Sequence, residues 1–156
     1  DRFTLDFPER PLQLLTATTQ VEAALGLPVS QLTRAGKTLI AELANATRVR
    51  NCKPDFQQIA RLDCHGVIIT ARGDDCDFVS RFFAPRVGVN EDPVTGSAHC
   101  GLVPYWHARL NKTAMHARQL SARGGELFCE YRAPRVLMSG HAVQYSVGTI
   151  NLPDSF

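Results

Sequence analysis

The 156-residue chain (17.2 kDa) has 17 basic and 15 acidic residues, a formal charge of +2, and is 44% hydrophobic. So small a positive excess, with no zinc-finger spacing, RNA-binding aromatic signature or arginine-rich tail, argues against a nucleic-acid partner. The absence of a membrane-length apolar run or secretory segment argues against a membrane and leaves the cytoplasm as the default location. Surface scaling gives about 7,800 Å² folded against roughly 25,000 Å² unfolded, enough burial for a real core.

Arg2 to Phe7 alternates as a strand and stops at Pro8. A strand so close to residue 1 reads as entry into a fold already under way, with residues 1–10 crossing from a preceding lobe and 11–156 forming the lobe itself. Thr19 to Gly26 predicts a short helix, with Thr19 as cap, Glu22 as capping-box partner and Gly26 closing it. Val29 to Val49 holds runs suited to two or three strands, broken at Gly36-Lys37 and Ala44-Asn45. Arg48, Arg50 and Lys53 would sit on a solvated strand edge. Pro54 to Leu62 predicts a second helix, with Phe56 and Ile59 on one side. His65–Thr70 and Cys76–Phe83 pair as a hairpin around the turn Gly73-Asp74-Asp75.

Ser97 to Leu110 is the longest predicted helix. Leu102, Tyr105 and Arg109 mark one stripe, with Val103, Trp106 and Leu110 beside it. Bulk on two faces predicts a helix enclosed by sheet. Pro104 removes the hydrogen bond to the Cys100 carbonyl, so a bend or a distinct first turn is expected there. Strands follow at Met115–Ser121, Gly125–Tyr131 and Val136–Val147. The fold class is α+β, a β-barrel-like sheet wrapped around a central helix. Five widely spaced cysteines, without a Cys-x-x-Cys pair, predict buried thiols rather than a zinc or disulfide framework.

The segment Glu91-Asp92-Pro93-Val94-Thr95-Gly96-Ser97-Ala98-His99-Cys100 concentrates the chemistry. Pro93 restricts Asp92, Gly96 permits close approach of a ligand, and the helix start supplies unpaired N–H groups and a positive dipole end. These features suit an anionic ligand such as a carboxylate, with Ser97 adding a hydroxyl and Asp92 orienting a group or moving a proton. The same residues also read as an ordinary helix cap, with Thr95 or Ser97 capping and the acids serving the dipole. His99 is within reach of the same pocket. Arg81 and Arg86 read as charge balance for Glu91 and Asp92, and Arg123 as a turn residue unless the fold brings it to Gly96.

Arg81-Phe82-Phe83-Ala84-Pro85 followed by Glu91-Asp92-Pro93-Val94-Thr95-Gly96-Ser97-Ala98 resembles the phenazine-biosynthesis-like isomerase family, related in fold to diaminopimelate epimerase. Leu5-Asp6-Phe7-Pro8 and Arg118-Gln119…Arg123-Gly124-Gly125 extend the likeness. The resemblance implies a lobe whose central helix begins near Gly96, facing a second lobe across the active site. It implies carboxylate binding at Gly96, Ser97 and Thr95, with Asp92 and Ser97 in catalysis. The implied chemistry is cofactor- and metal-independent proton transfer at carbon in a small carboxylate. The family's main acid/base glutamate lies in the first lobe and has no counterpart here, so the site is expected to be incomplete alone. The implied partners are therefore that N-terminal lobe or a second copy in a dimer, besides the small anion. The alternative is a noncatalytic carboxylate-binding or assembly module.

Overall fold

A computed structural model describes residues 2–151. The strands are β1 (Phe3–Pro8), β2 (Leu12–Leu15), β3 (Gln31–Ala35), β4 (Thr38–Glu42), β5 (Gly66–Arg72), β6 (Phe78–Ala84), β7 (Val89–Asp92), β8 (Ala114–Gln119), β9 (Gly125–Arg132) and β10 (Arg135–Gly140). Between them lie the helices α1 (Thr19–Leu25), α2 (Ala46–Asn51), α3 (Phe56–Arg61) and α4 (Gly96–Leu110), and a 3₁₀ turn at Pro85–Val87. The strands form one sheet in the order β1-β10-β9-β8-β6-β5-β4-β3-β2, with β7 branching from β6.

The two ends of that order, β1 and β2, are consecutive in the chain. Only residues 9–11 separate them, a span of about 14 Å at full stretch. The sheet must therefore curl until its edges nearly meet, and α4 runs inside the curl. Arg10, in the short link, donates its backbone N–H to the Cys100 carbonyl at 2.9 Å. That carbonyl is the one Pro104 leaves without an intrahelical partner. The proline expected to disturb α4 thus creates the acceptor that fastens the strap between the sheet edges to the central helix.

Burial follows the strand alternation. Val67, Ile69 and Ala71 of β5 face a core shared with α1, α2 and α3. Ile68 faces α4 in a second core with Phe78, Leu102, Val103, Trp106 and Met138. Sheet covered on both faces explains why β4 and β5 read as continuous apolar runs. The α4 surface is buried almost all round from Ala98 to Trp106, as its two bulky stripes predicted. Its polar tips are satisfied: Trp106 Nε1 donates to Thr70 Oγ1 at 3.0 Å, and the Tyr105 hydroxyl to Glu42 at 2.6 Å.

Several sequence expectations need correction. The stretch 46–51 is helix α2, not strand: buried Ala46 and Val49 are three apart, and the Asn45 side chain caps the Arg48 N–H at 2.9 Å. Arg48, Arg50 and Lys53 are nonetheless solvent-exposed. Thr18 rather than Thr19 occupies the cap of α1, without a side-chain bond, and Glu22 accepts from the Val29 N–H at 2.9 Å instead of forming a capping box. Gly26 does close α1, in the left-handed conformation. The last strand stops at Gly140, opposite Phe3. Val143, Tyr145 and Val147 beyond it alternate like a strand but are exposed. Strands β2 and β7, four residues each, were not anticipated.

Candidate functional site

Strand β7 ends at Asp92, and Pro93-Val94-Thr95 turns the chain into α4. The turn is held by one side chain from the end of β8. Gln119 Nε2 donates to the Asp92 carbonyl at 2.7 Å and to Thr95 Oγ1 at 3.1 Å, while its Oε1 accepts the Thr95 N–H at 2.8 Å. With one lone pair receiving from Gln119, the Thr95 hydroxyl spends its own hydrogen on Asp92 Oδ2 at 2.6 Å. The order of donors is therefore fixed: Gln119 to Thr95 to Asp92. Gln119 is 1% exposed and Thr95 7%. Thr95 is the N-cap residue but its side chain makes no capping bond. The helix-cap reading of Thr95 fails, and its polar groups brace the loop from within.

Gly96 and Ser97, by contrast, are exposed. Among the described residues neither backbone N–H meets an acceptor, as expected for the first turn of a helix whose cap side chain is engaged elsewhere. A Cβ on Gly96 would touch nothing within 4 Å. The open space above it is a cleft of about 670 Å³ that Gly96 shares with Arg123 and with Phe3, Leu5, Phe7 and Met138. The apolar wall follows from register. Leu5 and Phe7 lie opposite Met138 and Val136, which belong to the core under α4. The β1 side chains continue that inward face past the end of the helix.

Arg123 reaches the cleft because its turn is fastened to the loop ahead of α4. Ser121 Oγ donates to the Pro93 carbonyl at 2.7 Å and accepts the Gly124 N–H at 3.0 Å. Gly125 lies so close that an added Cβ would stand 2.3 Å from Val94 Cγ2. The turn arginine therefore lines the same cleft as Gly96. Ser97 lines a different cavity, about 320 Å³, with Arg10, Lys37, Thr38 and His65. The structure thus opens Gly96 and Ser97 onto different spaces, keeps Thr95 inside the loop and ties Asp92 to the Thr95 hydroxyl.

The remaining candidates have structural occupations. Arg81 grips Glu91 through two bonds of 2.7 and 2.9 Å and also donates to the Val49, Arg50 and Cys52 carbonyls around the end of α2. Arg86 donates to the Leu62 carbonyl at 3.0 Å. His99 is fully buried, its Nδ1 bonded to the Thr95 carbonyl at 2.9 Å, and that carbonyl can only accept. Nδ1 therefore carries the hydrogen, leaving Nε2 as a buried acceptor without a partner among the described residues. Burial pushes the imidazole down to about 4 and keeps it neutral at physiological pH. His107 lies at the surface against Tyr131. All five cysteines are free, four of them buried, and burial raises each thiol. The described residues contain no cluster of metal ligands and no helix long and apolar enough to cross a membrane.

Gln119 is the residue that sequence reasoning passed over. Its signal was available: in β8, Met115, Ala117 and Gln119 are the buried alternate positions, and a polar residue in an inward series needs a partner.

Residues 4–148 match the family model described as phenazine biosynthesis-like protein. A protein of Pseudomonas aeruginosa named an uncharacterized isomerase is 51% identical over 152 residues, covering 97% of this chain and 58% of that protein. A PhzF-family crystal structure from Enterococcus faecalis superposes with a TM-score of 0.86 at 44% identity, over 89% of this chain and 54% of that one. A PhzC/PhzF structure from Clostridium difficile gives 0.85 at 40% identity, over 97% and 58%. The chain spans between half and three-fifths of these relatives' lengths.

Proposed function

The chain belongs to the phenazine biosynthesis-like family and has its diaminopimelate epimerase-like fold, and from that premise we propose a carboxylate-holding lobe of an isomerase-type enzyme. Its reaction is cofactor-independent: a proton leaves one carbon of a small carboxylate and returns to that carbon or another. Gly96 and Ser97 hold the carboxylate through their N–H groups, aided by the helix dipole. Asp92, its Oδ2 engaged by Thr95, offers the other oxygen as acceptor to a polar group of the substrate. Arg123 supplies positive charge at the rim. The observation that carries the reading is the Gln119-braced loop, which orders Asp92 just ahead of a helix start whose Gly96 and Ser97 N–H groups are unpaired among the described residues, with Gly96 lining an apolar cleft.

A second reading has its own support. Around the helix start the other nearby carboxylates are already paired: Glu91 with Arg81, and Glu126 with Arg118. Besides Arg123, the titratable side chains lining the cleft are the paired Glu126 and the solvent-exposed His141, so the chain by itself suits binding rather than turnover. The isomerase reading therefore places the main acid/base glutamate on an N-terminal lobe, with that lobe or a second copy covering exposed Phe3 and Leu5.

The test uses the polypeptide extended to the length of its relatives. Candidate carboxylates are incubated with it in D₂O and followed by NMR for deuterium entering a C–H position. Wash-in that disappears in the Asp92→Asn, Ser97→Ala double variant is the expected result. Undiminished wash-in in that variant overturns the residue roles. Carboxylate-dependent shifts of the Gly96 and Ser97 amides without any wash-in favour the binding module.

A further inference from the structure

Two cavities on the Ser97 side of the helix start share Lys37 and His65. One, of about 320 Å³, runs from Ser97 past Arg10; the other, of about 330 Å³, continues to Arg34 and Arg86. Together they make one groove, built by the β3–β4 turn, the loop before β5 and the 3₁₀ turn after β6. We propose that this groove is a binding site for a small oxyanion carrying at least two negative charges, distinct from the carboxylate site at Gly96.

The first argument is charge. In a chain whose net charge is only +2, the groove gathers Arg10, Arg34, Lys37 and Arg86 against one acid, Asp63. Asp63 is fully exposed and stands 4.0 Å from Arg86, too loose and too solvated to neutralise the group. Lys37, Arg10 and Arg34 form no ion pair among the described residues, so the charge gathered in the groove is largely uncancelled.

The second argument is preorganisation. The three arginines are tethered by neutral acceptors, which fix position without cancelling charge, while Lys37 is exposed at the turn. Arg34 donates through both terminal nitrogens to the Asp63 carbonyl at 3.3 Å, Arg86 to the Leu62 carbonyl at 3.0 Å, and Arg10 to Thr38 Oγ1 at 3.3 Å. The loops beneath are joined by the His65 N–H, which donates to the Lys37 carbonyl at 2.7 Å. Arginines held apart at fixed sites around a concave surface repel one another until an anion arrives, and the entropy of placing them is already spent. The volume suits a phosphate group or a short dicarboxylate, and His65 offers a ring nitrogen to either.

The test titrates the ¹⁵N-labelled chain with pyrophosphate, malonate and acetate at low and high salt. The expected result is saturable shifts at Gly36, Lys37 and His65 with the two multivalent anions, weakening with salt, and little response there to acetate. Lys37→Glu, an exposed turn substitution, should weaken that binding about tenfold or more, and Arg86→Gln less. Tighter binding of pyrophosphate identifies a phosphate-bearing ligand, and of malonate a dicarboxylate; both support the site. Absence of saturable shifts, affinity unchanged in Lys37→Glu, or a response only to a long polyanion such as heparin overturns it. Gly96 reports on the carboxylate reading and Lys37 on the groove, so either can fail while the other stands.

Discussion

Replacing Gln119 with methionine tests whether the loop before α4 is braced as described. The side chain is nearly isosteric and apolar, so the cavity is conserved while three hydrogen bonds vanish. A net loss of about 1 kcal/mol per bond applies where the partner finds water again. That escape is closed to the Thr95 N–H, which is buried and left without an acceptor at a cost of about 1–3 kcal/mol. The Asp92 carbonyl lies nearer solvent and loses less, and Thr95 Oγ1 keeps its bond to Asp92. The sum is about 2–4 kcal/mol. For a domain of this size that lowers Tm by about 5–15 °C. Urea midpoints at constant m-value measure it directly. Gln119→Glu gives the second arm: it keeps the acceptor for Thr95 N–H but turns a donor into a charged acceptor against the Asp92 carbonyl, so it should be no milder than methionine. A loss below about 1 kcal/mol for both variants would show that the brace carries little of the loop's stability.

Three further outcomes follow from the same geometry. His99 is held at about 4 in the folded chain against an ordinary 6.5, so the folded state binds fewer protons and stability rises with pH in that window. The full contribution is present above pH 6.5 and falls away towards pH 4, by roughly 3 kcal/mol; urea midpoints across that range should show the slope, and His99→Asn should flatten it. Gly125→Ala drives a methyl into Val94 at 2.3 Å and should cost about 1–3 kcal/mol, recovered largely by adding Val94→Ala in a double-mutant cycle. Arg81→Met should destabilise more than Glu91→Gln, because the arginine also serves three carbonyls at the end of α2; equal urea midpoints would show that those carbonyl bonds contribute nothing.

The sequence made α4, the β5–β6 hairpin and the sheet-around-helix plan legible because each rests on local periodicity and on turn residues. It failed where the deciding partner is distant. At 46–51, alternating Arg48 and Arg50 mimic a strand, and only the burial of Ala46 and Val49 under the sheet selects the helix. After Gly140 the alternation persists, yet Val143, Tyr145 and Val147 stay exposed and join no strand. The site divides likewise. Asp92, Thr95, Gly96 and Ser97 announce themselves in one run of residues. Gln119 and Arg123 join them only through the parallel pairing of β6 with β8, which sets the end of β8 beside the loop before α4. Sequence proximity also misled in one respect: Thr95 and Gly96 are neighbours, yet one is spent inside the loop and the other open to the cleft.

Gly96 and Ser97 differ in their surroundings for a simple geometric reason. Successive residues on a helix point about 100° apart, so neighbours in the first turn look into different spaces. Gly96 opens on a cleft with aromatic and aliphatic walls and a single rim cation. Ser97 opens on a groove whose arginines are tethered but not neutralised. The same unpaired N–H groups and dipole end serve both sides, but what surrounds them selects different ligands. Desolvation and shape dominate on the Gly96 side, and a carboxylate with an apolar body gains most there. Coulombic attraction dominates on the Ser97 side, favouring compact multivalent anions. The two therefore part under salt: screening should weaken association at Lys37 steeply and at Gly96 only mildly. A parallel fall at both reporters would mean that one diffuse field, not two shaped sites, surrounds the start of α4.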